Sequence, residues 1–176
     1  MGKRILAVDA ETDGLYGDPF AIGAVVLDES GREVDRFGGL AGANEVGDVW
    51  VRANVLPHLG DLPSFSSRFE LRETFWQFWM KHRGECLCVA DVAVPVEAGL
   101  FRLCVAVDAS RTFLGPFPLH DVATLLLALG TDPLTDRAEL LSGWGVTWTG
   151  VRHNPVDDAL AGALVFWHGL QKTRAL

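Results

Sequence analysis

The chain has 176 residues, of which 49% are hydrophobic and 22% charged. That balance suits a single globular domain over residues 1–176 and excludes a chain that is mainly disordered. A net charge of −8 excludes a protein that coats nucleic acid by bulk electrostatics, but not one that grips it locally through metal ions.

The opening segment, MGKRILAVDAETDG, lacks the long apolar stretch and small-residue cleavage site of a secretory signal. No later run approaches the ~18 consecutive apolar residues of a membrane span. Lys3–Asp9 reads as a short buried strand, and Phe20–Leu27 as a second. Glu29-Ser30-Gly31 is a turn signal, after which Glu33–Leu40 returns as a third strand. Strands joined by such short turns are expected to be antiparallel neighbours. From Gly42 to Ser64 the pattern is irregular, broken by Gly47, Pro57, Gly60 and Pro63.

Phe65–His82 is expected to be a helix, with Phe69, Leu71, Phe75, Trp76, Phe78 and Trp79 at helical spacing. Those aromatic residues read as core rather than as stacking platforms. Arg68, Arg72, Lys81 and Arg83 read as a solvated face rather than as a basic strip. Gly84 stops the helix, and Glu85–Ala90 follows as a strand. Cys86, Cys88 and Cys104 are odd in number, and Cys-x-Cys is not a usual zinc spacing. They read as reduced, buried thiols of a cytoplasmic protein. Further helices are expected over Val96–Cys104, Leu119–Leu129, Asp136–Leu141 and Asn154–Leu170. Strands first, then alternating helix and strand, predict a mixed sheet flanked by helices in an α/β three-layer architecture.

The first strand ends in Asp9-Ala10-Glu11-Thr12-Asp13-Gly14. Residues two apart on a strand share a face, so Asp9 and Glu11 project side by side. Two close carboxylates raise each other's pKa, and a hard divalent cation removes that penalty. Alone, the pair could equally open a polar turn. Its position at the C-terminal end of a buried strand, where α/β sheets place ligand sites, favours the cation.

The second signal is Arg152-His153-Asn154-Pro155-Val156-Asp157-Asp158-Ala159. Asn154 suits an N-cap and Pro155 the first helical position. Asp157 then stands where an acid returns to the cap, a sufficient structural role. Asp158 lies on the face of Ala161, Gly162 and Val165 and is expected to be buried without a partner, a costly arrangement unless it binds a metal or donor. His153 precedes the helix, in a loop held near Asp158.

Together, D-x-E on the first strand, an acid in mid-chain and H-x₄-D opening the last helix resemble the DEDDh (DnaQ-like) 3′–5′ exonuclease family, which has a ribonuclease H-like fold. VDAETDGLYGDPFAIGAVV resembles that family's opening strand, turn and second strand; LHDVATLLLAL and RHNPVDDALAGALV resemble its closing elements. Gly42–Ser64 is unmatched. The family's usual His-Asn-x-x-Phe-Asp followed by an apolar pair, in which the Asp is a catalytic acid, is replaced by Ala90–Phe101. Aligning Leu100-Phe101 with the apolar pair puts Glu97 at the acid position, with Asp91 as the alternative.

The resemblance implies two Mg²⁺ or Mn²⁺ ions held by Asp9, Glu11, Asp158 and Glu97 (or Asp91), with His153 as general base. It implies that Thr12 and Leu15 contact the terminal nucleotide. The substrate would be the 3′ end of single-stranded RNA or DNA, and the product a nucleoside 5′-monophosphate. Homodimers occur among small family members, and no membrane partner is implied. Two other readings stay open. VDAET loosely resembles a haloacid dehalogenase-type phosphatase motif, which leaves His153 and Asp158 unexplained. The altered middle motif would also suit a catalytically weak nucleic-acid-binding module on the same fold.

Overall fold

Strand β1 (Arg4–Thr12) forms the middle of a sheet whose order is β3-β2-β1-β4-β5. The computed structural model describes residues 3–173. Strand β2 (Pro19–Leu27) runs antiparallel to β1, and β3 (Glu33–Leu40) antiparallel to β2, as the short turns require. On the other side β4 (Cys86–Ala90) and the two-residue β5 (His120–Asp121) continue the sheet in parallel. The chain reaches each parallel strand through a helical crossover.

Helices cover both faces. Val8, Ala10, Ile22, Ala24 and Val26 face α2 (Arg68–His82) and α3 (Val96–Ala106), where Leu71, Phe75, Trp76 and Leu100 fill the space. Ile5, Ala7, Val25 and Leu27 face α4 (Val122–Ala128), α5 (Arg137–Gly143) and α6 (Pro155–Thr173). Every residue of β2 is buried, which explains its unbroken apolar run. The aromatic positions of α2 are largely core, as their spacing predicts: Phe75, Trp76 and Trp79 are buried, although Phe69 is exposed.

Several elements differ from the sequence expectation: β1 runs to Thr12 rather than Asp9, and three further differences have local causes. Helix α2 starts at Arg68 rather than Phe65, because the Ser67 hydroxyl accepts the Glu70 N–H at 3.1 Å while Glu70 accepts the Ser66 N–H at 2.9 Å. The helix expected from Leu119 starts at Val122. Asp121 is extended, pairs with β4, and caps the helix by accepting the Thr124 N–H at 2.6 Å. The irregular segment contains α1 (Val49–Asn54), capped where Asp48 accepts the Val51 N–H at 2.9 Å. Val51, Val55 and Leu59 seat it against Phe20 and Ala21. Its apolar positions are too few to announce a helix, and its stability comes from that contact.

The basic residues on and just after α2 are engaged locally. Arg68 reaches the Gly42 carbonyl at 3.4 Å, Lys81 pairs with Asp35 at 2.6 Å, and Arg83 donates to the Leu114 carbonyl at 3.1 Å. Cys86, Cys88 and Cys104 are all unpaired. Among the described residues, no helix is long and apolar enough to cross a membrane.

Candidate active site

The site is built where α6 begins against the middle of the sheet. Asp9 lies opposite Gly23 of β2, and a Cβ at Gly23 would stand 2.1 Å from the Pro155 carbonyl carbon. The missing side chain lets the first turn of α6 lie directly on the strand backbone. That approach carries Asp158 toward the acids of β1. From the other layer, Glu97 in the first turn of α3 accepts the Ala10 N–H at 3.3 Å. Asp9, Glu11, Asp91, Glu97, His153 and Asp158 line one cleft of about 550 Å³.

His153 adopts φ 67°, a left-handed conformation uncommon for residues other than glycine. Its N–H donates to Asp158 Oδ2 at 2.7 Å, and its Nδ1 lies 3.4 Å from Glu11 Oε1. One donor atom each from Glu11, His153 and Asp158 falls within 4.8 Å of the others. Asp9 and Glu97 lie outside that tight set but border the same cleft. The His153 ring meets Trp50 edge-on at 5.9 Å and lies 6.4 Å from the His58 ring.

Two local expectations are corrected. Asn154 caps α6, accepting the Val156 and Asp157 N–H groups at 3.0 and 3.3 Å. Asp157, however, does not return to the cap; it accepts the Val151 N–H at 2.8 Å because the cap's own N–H donates to the Val151 carbonyl. Asp158 is half-buried and does have a partner, the backbone N–H of His153.

The candidate third acids occupy different environments. Asp91 accepts from Arg137 Nε at 2.6 Å. Arg137 in turn donates to the carbonyls of Thr135 and Pro133. Glu97 is buried at 5% exposure, and its carboxylate accepts the backbone N–H of Ala10. Leu15 stands exposed on the cleft rim, whereas Thr12 is buried and does not line the cleft. Arg137 and Trp148 line it without having been singled out in the sequence, and Arg152, first residue of the second signal, lines it too. Arg137 carried no signal because its partner lies 46 positions away.

Burial dominates the electrostatics. It pushes Asp9 well above the carboxylate range, reinforced by Glu97, Glu11, Asp158 and Asp91. Glu11 is pushed up to about 8 by burial, then by Asp158 and Glu97. Burial raises Glu97 to about 7 and Asp158 to about 6, against the lowering effect of their backbone hydrogen bonds. His153 is lowered by burial, Arg152 and His58. Glu11 and His153 therefore stand at ion-pair distance while burial disfavours the charged form of both.

Among the described residues, Asp9, Glu11, Glu97 and Asp158 have no ion pair with Lys or Arg. Four converging carboxyls without a Lys or Arg ion-pair partner, raised chiefly by burial, fit hard divalent cations such as Mg²⁺ or Mn²⁺.

No family model matches the sequence, and no curated protein matches it. Solved structures do match. The nuclease domain of 3′hExo, a DEDDh family member bound to rAMP, is 14% identical at a TM-score of 0.67, covering 97% of this chain and 93% of that one. Cell-death related nuclease 4 (CRN-4) is 13% identical at 0.65, covering 97% of this chain and 64% of that one. Pop2p of S. pombe, in its Mg²⁺- and Mn²⁺-bound form, is 12% identical at 0.68, covering 93% and 81%. At these identities the likeness is one of fold: the chain has the ribonuclease H-like fold of DEDDh exonuclease domains.

Proposed function

We propose that this chain is a metal-dependent 3′–5′ exonuclease that releases nucleoside 5′-monophosphates from single-stranded RNA or DNA, with residues 1–176 acting as one domain. One observation carries the reading. On a DEDDh exonuclease fold, Asp9, Glu11, Glu97, Asp158 and His153 come from three separate stretches of chain to one cleft. The metal-bound form of Pop2p, on the same fold, supports the ion requirement. The rAMP held by 3′hExo supports a nucleotide product.

Asp9, Glu11, Asp158 and Glu97 hold two divalent ions in this reading. Bound there, the ions stabilise the attacking and leaving oxygens of the scissile phosphate and make a bound water more acidic. His153, its neutral form favoured by burial, accepts the proton from the attacking water on a ring nitrogen. Its left-handed backbone and its hydrogen bond to Asp158 hold the ring at the cleft. Leu15 offers an apolar surface to the terminal base, whereas Thr12, expected beside it, is buried and does not line the cleft. Asp91 is neutralised by Arg137 and takes the lesser part. Unpaired cysteines are in keeping with a reducing, cytoplasmic setting.

An oligonucleotide labelled at its 5′ end, as RNA and as DNA, tests the reading with Mg²⁺, with Mn²⁺ and with chelator. Metal-dependent shortening from the 3′ end with mononucleotide release is expected. Binding without hydrolysis under every metal condition would replace the enzyme by a binding module. A trapped aspartyl-phosphate would point to a phosphatase, a reading that gives no work to His153 and Asp158.

A further inference from the structure

Asn154 does more than cap α6. Its Oδ1 accepts the Val156 and Asp157 N–H groups, its backbone N–H donates to the Val151 carbonyl at 3.1 Å, and its carbonyl accepts the Asp158 N–H at 2.9 Å. One group remains, the side-chain Nδ2, and it donates to the carbonyl of Leu59 at 2.9 Å across 95 residues of sequence. Leu59 ends the segment Val49–Leu59, which forms α1 and the 3₁₀ turn after it. That segment presents Trp50, 59% exposed, and His58 beside the His153 ring. Otherwise it is seated by a small apolar cluster of Val51, Val55 and Leu59 on Phe20 and Ala21. The approach is close: at Gly60, with φ +65°, a Cβ would stand 3.1 Å from Asn154 Nδ2.

We infer that Asn154 is a positioning residue that latches the Val49–Leu59 wall to the His153 loop, so that the aromatic wall and the base meet a substrate strand as one unit. The inference rests on the nuclease reading for its functional half. Its structural half stands on the hydrogen bonds alone. Asp13 holds the N-terminal end of the segment through the Gly47 and Asp48 N–H groups, and the apolar cluster seats its middle; its C-terminal end is tied to the His153 loop by the Asn154 hydrogen bond, so losing that bond is expected to loosen this end. The same asparagine also closes the loop that holds His153 in its left-handed conformation. Movement of the wall and movement of the base therefore share one residue.

Asn154→Asp is the discriminating variant. Aspartate caps a helix as well as asparagine does and suits the positive helix end, so α6 keeps its start. The donor to Leu59 is lost, and a carboxylate oxygen faces the Leu59 carbonyl in its place. Amide exchange over 49–59 is expected to accelerate about fivefold, the effect of one net hydrogen bond, with exchange over α6 unchanged. With an oligonucleotide substrate, KM is expected to rise by more than kcat falls. Gly60→Ala disturbs the same contact from the other side and is expected to show the same exchange pattern. Unchanged exchange over 49–59 in Asn154→Asp overturns the latch. Faster exchange with KM unmoved, or with the loss confined to kcat, overturns its role in holding substrate. If the unmodified protein degrades no oligonucleotide, the nuclease reading fails instead, and the exchange measurement still decides the latch.

Discussion

Gly23 of β2 lies directly opposite Asp9 of β1, and the backbone of Pro155 occupies the space where a side chain at Gly23 would be. The candidate site depends on this contact, since it brings the acid of the last helix to the acids of the first strand. Gly23→Ala is expected to destabilise the protein by about 1–3 kcal/mol or more, the range for overpacking a close contact. Activity is expected to fall further than stability alone explains, because Asp158 moves with the helix. Urea unfolding of the variant, read beside turnover at a temperature where it stays folded, checks both.

The carboxyl cluster sets the pH dependence of stability without metal. Glu11 at about 8 and Glu97 at about 7 lie above their unfolded values, as does Asp9. Between those unfolded and folded values the native state holds more protons than the unfolded chain. The stability these groups contribute is present in mild acid and is lost as pH rises through about 7 to 8. Melting temperature in chelator is expected to fall from pH 5.5 to pH 8.5 (roughly the window these shifts define). Mn²⁺ is expected to restore it, and by more at the alkaline end, where no protons need be displaced. A melting temperature independent of pH in chelator would remove the cluster as a proton store.

Glu97 and Asp91 separate by opposite effects on stability. Glu97→Gln removes one of several repelling acids and is expected to raise the melting temperature in chelator while abolishing metal-supported turnover. Asp91→Asn leaves Arg137 without its carboxylate and is expected to lower the melting temperature while retaining more turnover. The reverse ranking of activities moves the third acid to Asp91.

His153→Ala is expected to lose about 10²-fold or more in turnover, the usual scale for a general base, while keeping its circular dichroism and melting temperature close to those of the parent. Removing a non-glycine residue's ring does not disturb the hydrogen bond from its backbone to Asp158. Full hydrolysis by a cleanly purified variant removes His153 as the base.

Local patterning in the sequence was enough for the strands, the buried faces and the long helices, because their signals repeat over every two or three to four residues. The apolar run of β2, the period of α2 and the cap at Asn154 are all of this kind. Asp9 and Glu11 were likewise legible as neighbours, since alternation along one strand decides it. Other features had no local signal. The start of α4 depends on Asp121 pairing with β4, and the helix α1 on its seat against Phe20. The pairing of Asp91 with Arg137, the tie from Asn154 to Leu59 and the edge of Trp50 on His153 each join residues that only the packed layers bring together. The sequence alone determined which chemistry each stretch carries. Tertiary structure decided which of those stretches meet, because the approach of α6 to the sheet turns on one absent side chain and the charge state of each acid on its burial.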